Sequence, residues 1–251
     1  MPLPATLLLL FATATVAGLI DAIAGGGGLI TIPVLLGIGL PPQLALGTNK
    51  LQATCGSGSA MLHFIRSGAV KLRECLAGII WTFIGSALGV GTVQLLDPSL
   101  LRTVLPWLLG AIAVYTLLSP RLGNEDIRAR MASGPFYLLF GLTLGFYDGF
   151  LGPGTGSFWA VAFVVLMGYS LQRATAYTKV MNFTSNIAAL LFFLLAGQVR
   201  FSEGLVMGAG QFIGARVGAR LVTSRGSAFI RPIFIVMVVA LLIKLIIQNA
   251  Q

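Results

Sequence analysis

An internal repeat that covers most of this 251-residue chain limits the folds it can adopt. The segment that begins Asp21-Ala-Ile-Ala-Gly returns 127 residues later as Asp148-Gly-Phe-Leu-Gly. The offset then becomes 129 residues and aligns seven further pairs: Lys50 with Lys179, Gly68 with Gly197, Val70 with Val199, Glu74 with Glu203, Gly85 with Gly214, Gly89 with Gly218, and Arg102 with Arg231. A repeat of this length predicts two structurally related halves.

The composition indicates that these halves lie in lipid. Hydrophobic residues make up 57% of the chain and charged residues only 9%, with a mean hydropathy of +0.94. A soluble domain carries about 25% charged residues, so the chain is expected to be an all-α protein that crosses the membrane several times. Its net charge of +9 fits basic cytoplasmic loops rather than nucleic-acid binding. Cys55 and Cys75 have no metal-ligand spacing, so no metal and no cofactor are expected.

Each half is predicted to contain three full spans that follow a longer, interrupted apolar stretch. A span needs about 20 apolar residues. The full spans are predicted at 43–65, 76–96 and 100–118, and at 174–195, 204–222 and 229–247. The interrupted stretches are 4–40 and 135–169, and each contains a glycine-rich break. The arms after the breaks, 29–40 and 157–169, extend only about 18 Å as helices, which predicts half-helices.

The charge distribution favours inverted halves. If each interrupted stretch returns to its own side, ten Lys and Arg residues near segment ends face one side and three the other. Parallel halves of four crossings, the alternative, divide the same residues eight to five. The positive-inside rule therefore predicts a first membrane repeat at 1–118, a cytoplasmic linker at 119–134 and a second membrane repeat at 135–251. Both termini are then expected outside the cytoplasm.

The aligned lysines are the strongest candidate site residues. Lys50 and Lys179 stand early in apolar segments, where an ionisable side chain costs about 2.5–3.5 kcal/mol unless it has a partner or a cavity. Uncharged polar neighbours surround them, including Thr48, Asn49, Thr178 and Asn182. The two lysines either flank an anion between the halves or stabilise the structure at headgroups and broken helices.

The glycine breaks are the second candidate feature. The glycines and the threonine concerned are Gly25, Gly26, Gly27, Gly28, Gly152, Gly154, Thr155 and Gly156. A helix that begins after a glycine run presents unpaired N–H groups and about half a positive charge, which suits an anion. Alternatively, the glycines only allow helices to cross closely.

Asp21 and Asp148 are matched acids, each four residues before its glycine break. Either could carry a coupling proton, because burial favours a neutral carboxyl group. Alternatively, each aspartate pairs with a lysine or accepts hydrogen bonds from the broken backbone.

The segments AGLIDAIAGGGGLITIPVLLGIGL, ALGTNKLQATCGS and GFYDGFLGPGTGSFWAVAF resemble the TauE/SafE family of sulfite and organosulfonate exporters, and so does the tail GQFIGARVGARLV. The resemblance implies a bacterial inner-membrane permease of about eight helical segments. It also implies transport of a small sulfur-containing anion, driven by a proton or another ion. The family motif falls on Gly25 to Gly28, Asn49 and Lys50, and on Asp148, Gly152, Gly154 and Lys179.

These features predict a secondary transporter that binds a small anion near mid-membrane between the two repeats. An uncoupled anion channel with the same site is the alternative. An intramembrane enzyme is not expected, because the sequence contains no HExxH or GxSxG motif and no cysteine beside a plausible base. The expected partners are the anion, a coupling proton or ion, and membrane lipid.

Overall fold

The structure, a computed structural model, describes the backbone of residues 3–97, 99, 101 and 125–249, and side chains as far as residue 225. Within these residues all regular structure is α-helical. The helices are α1 (Leu3–Ala24), α2 (Gly27–Gly37), α3 (Pro42–Arg66), α4 (Leu72–Gln94), α5 (Ser133–Phe150), α6 (Thr155–Met167), α7 (Leu171–Leu195) and α8 (Phe201–Asn249). The predicted span 100–118, apart from residue 101, and linker residues 119–124 lie outside the described residues.

Both interrupted stretches are broken where the glycines predict. Gly25 and Gly26 separate α1 from α2 with φ of 69° and 129°, and Gly152 and Gly154 separate α5 from α6 with φ of 95° and 80°. Only glycine adopts such angles without strain, so these residues end one helix and allow the next to begin. The 11 residues of α2 and 13 of α6 extend about 16 and 20 Å, well short of a bilayer core. The predicted half-helices are confirmed.

One prediction about the second half is wrong. The spans expected at 204–222 and 229–247 lie in the single continuous helix α8. Residues 223–228 between them contain no proline and a single glycine. One glycine costs a helix only about 1 kcal/mol relative to alanine, which is too little to end it. In this half, the broken pair is therefore followed by two helices rather than three.

Three of the described helices are long and apolar enough to cross a membrane: α1 over Pro4–Ala24, α4 and α7. Helix α3 is as long as α7, at 25 residues, but it carries Thr48, Asn49, Lys50 and Gln52 on buried positions. Its polar residues face protein rather than lipid, which is how a polar helix is accommodated at membrane depth.

The helices of the two halves interlock. Helix α1 packs along α8, and its repeat counterpart α5 packs along α4. Matched glycines allow both approaches, because an added Cβ at Gly85 would meet Leu142 O of α5, and one at Gly214 would meet Thr15 O of α1. Close backbone approach through small residues is the usual packing mode of membrane helices. The halves therefore pack against each other through the α1–α8 and α4–α5 contacts.

Candidate functional site

The four predicted charges form two ion pairs between the halves. Lys50 Nζ of α3 lies 2.9 Å from Asp148 Oδ1 of α5, and Lys179 Nζ of α7 lies 3.0 Å from Asp21 Oδ2 of α1. Both lysine side chains are only 1% exposed. Each lysine pairs with the aspartate of the other half, so the two pairs join the halves and leave the four charges balanced.

The two glycine breaks contact each other beside these pairs. Ser157 Oγ, in the first turn of α6, donates to the Ala24 and Gly25 carbonyl oxygens, each at 3.1 Å. An added Cβ at Gly25 would lie 2.6 Å from the Gly156 carbonyl carbon. Gly25 is therefore required both by its positive φ and by the crossing of the backbones.

Asp21 is held by backbone groups of its own break. Its Oδ1 accepts the Gly26 and Gly27 N–H groups at 3.0 and 3.1 Å. Lys179 Nζ donates to the Asp21 main-chain oxygen as well as to its carboxylate. N–H groups predicted to cradle an anion at the start of α2 are thus already bound by Asp21, and Lys179 stabilises the end of α1.

Asp148 is held by side chains instead. Its Oδ1 accepts Lys50 and the Thr155 hydroxyl, the latter at 3.1 Å, and its Oδ2 accepts the Ser185 hydroxyl. Lys50 also donates to Asn186 Oδ1 at 3.2 Å. No backbone N–H is among the described partners of this carboxylate. The two matched aspartates therefore have different chemical surroundings.

A small cavity of about 30 Å³ lies between the breaks. Eleven of the sixteen predicted site residues line it: Asp21, Gly26, Gly28, Asn49, Lys50, Asp148, Gly152, Gly154, Thr155, Gly156 and Asn182. A water molecule needs at least about 10–15 Å³ of such space, so the cavity has room for two or three waters. The lining combines carboxylate, ammonium and amide groups with the first turns of α2 and α6.

The remaining five predicted residues are placed differently. Gly25, Gly27 and Lys179 contact lining residues without facing the cavity. Thr48 accepts the Arg200 N–H at 3.0 Å and so connects α3 to the start of α8. The buried Thr178 hydroxyl has no hydrogen-bond partner within the described residues and does not line the cavity.

Three lining residues are not among the predicted site residues: Ala53, Asn186 and Gln211. Gln211 of α8 lies against Gly18 of α1, Gly27 of α2 and Gly56 of α3, and its buried Oε1 has no partner within the described residues. It is the only uncharged polar residue in 204–222, which was the available signal. Repeat alignment did not reveal it, since its counterpart is Thr82.

A metal centre is not assembled in the part of the chain that the structure describes, where no three His, Cys, Asp or Glu residues come together. The cavity is lined by one ammonium group, two carboxylates that are each paired with a lysine, amide groups and the starts of two half-helices. Such an arrangement can bind a small ion between two bodies that interlock.

The family model of the sulfite exporter TauE/SafE matches residues 10–245. The chain belongs to this family of membrane transporters. A probable membrane transporter protein of Haemophilus influenzae is 52% identical over 235 residues, which cover 92% of this chain and 91% of the relative. The probable membrane transporter protein YfcA of Escherichia coli K12 is 49% identical, with 97% and 90% covered. ORF9 of a Sinorhizobium species, with the same description, is 46% identical, with 94% and 91% covered. No solved structure matches the chain.

Proposed function

We propose that this TauE/SafE protein is a secondary transporter of a small oxyanion, sulfite or a sulfonate, in a bacterial inner membrane. The anion binds in the central cavity between the halves. Sulfite is the substrate named in the description of the family. The proposal further takes the two halves to be inverted repeats that alternate in exposing the site to the two sides.

The observation that carries this proposal is that two half-helices begin at one cavity beside a buried lysine. Gly28 lies in the first turn of α2 and Gly156 in the first turn of α6, and both line the cavity with Lys50. Helix starts carry partial positive charge, and glycine allows an oxyanion to approach the N–H groups closely. Two helix starts and one ammonium group therefore lie at a cavity whose two carboxylates, Asp21 and Asp148, are each paired with a lysine.

The free binding capacity lies on the Lys50 side. At the start of α2, the Asp21 carboxylate already accepts two N–H groups. An ammonium group has three donors, and Asp148 and Asn186 accept two of those of Lys50. We therefore place the anion between Lys50 and the start of α6, within reach of the Asn182 amide.

The cavity volume supports a transport cycle rather than an open pore. About 30 Å³ holds a few waters but not a sulfonate with its organic group, so the halves must separate for the substrate to enter. Because the two cross-half ion pairs join the halves, substrate binding and movement of the halves act on the same residues.

A thermal-shift screen of the purified protein with sulfite, sulfate, thiosulfate, sulfoacetate and taurine tests the proposal. Sulfite or a sulfonate is expected to raise the unfolding temperature of the wild type and of Lys71→Ala, whose lysine is 78% exposed, but not that of Lys50→Ala. A wild type that no anion stabilises would exclude the proposed site. Accumulation of the anion against its gradient in proteoliposomes separates coupled transport from an uncoupled channel.

A further inference from the structure

The repeat-matched aspartates differ in whether their partners tolerate a neutral carboxyl group. The Asp21 Oδ1 atom accepts two backbone N–H groups, from Gly26 and Gly27. A backbone N–H can only donate, so it cannot accept the proton of a carboxylic acid. The other oxygen, Oδ2, accepts from the Lys179 ammonium group, which likewise can only donate. A proton on either oxygen would therefore face donors alone, so the described partners of Asp21 favour its charged form.

Two hydrogen-bond partners of Asp148 can act as either donors or acceptors. Thr155 and Ser185 contact it through hydroxyl groups, which can donate to a carboxylate or accept from a carboxylic acid. Each hydroxyl also has another acceptor in place. Thr155 Oγ1 lies 2.7 Å from the Gly152 carbonyl oxygen, and Ser185 Oγ lies 3.1 Å from the Met181 carbonyl oxygen. When Asp148 is neutral, both hydroxyls can turn to these carbonyls and no donor loses its partner.

Lys50 likewise has a second partner. If Asp148 becomes neutral, the ammonium retains Asn186 Oδ1 at 3.2 Å and remains in the wall of the cavity. Its charge is then uncompensated, and an isolated buried charge is costly. An anion entering the cavity restores the balance.

We propose that Asp148 alone is the proton-carrying residue of this transporter, and that its proton and the anion bind together, while Asp21 stays ionised as a structural anchor. This inference rests on the proposed function. The proton that binds Asp148 removes one negative charge and the anion bound to Lys50 supplies one, so the site keeps its net charge. By linkage, each ligand then raises the affinity for the other by the same factor.

The other charged groups near Asp148 leave this assignment in place. On α7 the nearest is Lys179, whose ammonium is held by Asp21 of α1. On α5 itself, Tyr147 donates its hydroxyl to the Pro153 carbonyl oxygen at 2.6 Å. Helix α6 contains no titratable residue.

Helix α4 approaches Asp148 through Ser86, whose backbone lies against Gly149, the next residue in the chain. Its titratable residues, Arg73, Glu74 and Cys75, stand in its first turn, three turns away from Ser86. Lys50 is therefore the one charged group within the described contacts of Asp148.

The test compares Lys50→Met with the matched Lys179→Met by infrared spectroscopy of the full-length protein at pH 7, without added anion. Lys50→Met leaves Asp148 without a counter-charge, and a buried carboxylate in that position takes up a proton. We expect one additional carboxylic-acid carbonyl band, which disappears in Lys50→Met/Asp148→Asn. Lys179→Met should show none, because two backbone N–H groups still hold the Asp21 carboxylate.

A band in Lys179→Met, or no band in Lys50→Met, would overturn the assignment, and so would a band that survives Asp148→Asn. Lys50→Gln, which keeps a donor for Asn186, replaces Lys50→Met if the latter does not fold. Since no anion is added, the result does not depend on whether sulfite binds. Failure of this inference is thereby distinguished from failure of the proposed function.

Discussion

Lys50 and Lys179 occupy matched positions in the repeat, but they contact different kinds of groups. Within the described residues, the Lys50 ammonium group donates to the side-chain oxygens of Asp148 and Asn186, and Lys50 lines the cavity. Lys179 contacts both the carboxylate and the main-chain oxygen of Asp21 and does not line it. The repeat thus preserves a residue type in two different settings: Lys50 faces the cavity, where we propose that it binds the anion, and Lys179 contacts the backbone at Asp21.

This difference predicts separate phenotypes. Lys50→Ala should abolish stabilisation by sulfite, whereas Lys179→Ala should retain part of it and lower the unfolding temperature more. Removing one partner of a buried ion pair costs about 3–5 kcal/mol, and Lys179→Ala also removes a bond to the end of α1. Thermal unfolding with and without sulfite measures both effects. If the two variants lost sulfite binding equally and were equally stable, the proposed difference in role between Lys50 and Lys179 would be wrong.

Gln211 gives a second prediction at this scale. Its amide lines the cavity while its Oε1 lacks a described partner, so its removal sacrifices little internal hydrogen bonding. Gln211→Ala should weaken sulfite binding about tenfold, the equivalent of one hydrogen bond to a charged group. Because Gln211 is buried against glycines of α1, α2 and α3, the affinity is measured on the folded fraction of the variant. The control is Gln94→Ala, whose amide donates to Phe192 O at an exposed position. Unchanged sulfite affinity in Gln211→Ala would remove this residue from the site.

The packing of whole helices depends on glycines that face a backbone rather than the cavity. On α4, an added Cβ at Gly85 would lie 2.9 Å from both the Gly141 oxygen and the Phe146 nitrogen of α5. On the same helix, Gly91 has nothing within 4 Å of such a Cβ. The two glycines therefore differ only in what the neighbouring element allows.

Gly85→Ala should destabilise the protein because α5 would have to move away from α4. Gly91→Ala should leave stability unchanged or raise it by up to about 1 kcal/mol, since alanine favours a helix over glycine. Thermal unfolding of the two variants in the same detergent gives the comparison. Similar unfolding temperatures would mean that the α4–α5 contact is looser than described.

The segment before α5 is attached to the junction of α6 and α7. Ile127 N–H donates to Gly168 O at 2.7 Å, and the Asp126 carboxylate accepts the Ser170 N–H at 2.6 Å and the Arg173 guanidinium at 2.8 Å. Partial burial alone would raise the pKa of Asp126, but the bonds from Ser170 and Arg173 outweigh it and hold that pKa below its usual value.

The sign of this shift predicts a pH dependence. A carboxyl group whose pKa is lowered by folding contributes stability above its unfolded pKa, about 3.9, and loses that contribution as the pH falls through the folded pKa. Asp126→Asn should therefore have a lower free energy of unfolding than the wild type at pH 7. The difference between the two free energies should become smaller below about pH 4. The effect is small, because the Asp126 side chain is 46% exposed. A gap that widens on acidification would contradict the lowered pKa.

For the whole molecule, the packing between the halves is reciprocal, as expected for either inverted or parallel repeats. Helix α1 packs on α8 of the other half, and its counterpart α5 packs on α4. The helix-end residues Ser67 and Ala196, which are aligned at the offset of 129, are both exposed. Inverted halves place these two positions on opposite sides of the membrane, and parallel halves place them on the same side.

Single cysteines at Ser67 and Ala196, in a background with Cys55 and Cys75 replaced, decide between these arrangements. A membrane-impermeant thiol reagent applied to intact spheroplasts should label Ala196→Cys and not Ser67→Cys. Labelling after lysis is the control for reactivity. If both or neither were labelled in intact spheroplasts, the two positions would lie on the same side of the membrane and the halves would be parallel.

Much of the architecture follows from the sequence because its signals are local. The glycine runs predict the breaks, since a positive φ is a property of the single residues Gly25 and Gly152. The lengths of the apolar arms predict α2 and α6 as half-helices. The repeat aligns Lys50 with Lys179 and Asp21 with Asp148, and so predicts that these four residues belong to one site. The sequence does not predict the continuous helix α8. The short segment between the two predicted spans contains a single glycine, and one glycine does not distinguish a helix end from an uninterrupted helix.

The partners of these charges were decided only by tertiary structure. Periodicity and alignment cannot tell whether Lys50 pairs with Asp21 or with Asp148, because the choice depends on how α1 and α5 pack across the interface. The same packing set two backbone donors against Asp21 and two hydroxyls against Asp148. It also brought Gln211 of α8 to the cavity, although Thr82 is its repeat counterpart. The sequence determined which residues are duplicated. Three-dimensional packing determined which copy lines the cavity and which contacts the backbone, because hydrogen-bond partners come from helices distant in the chain.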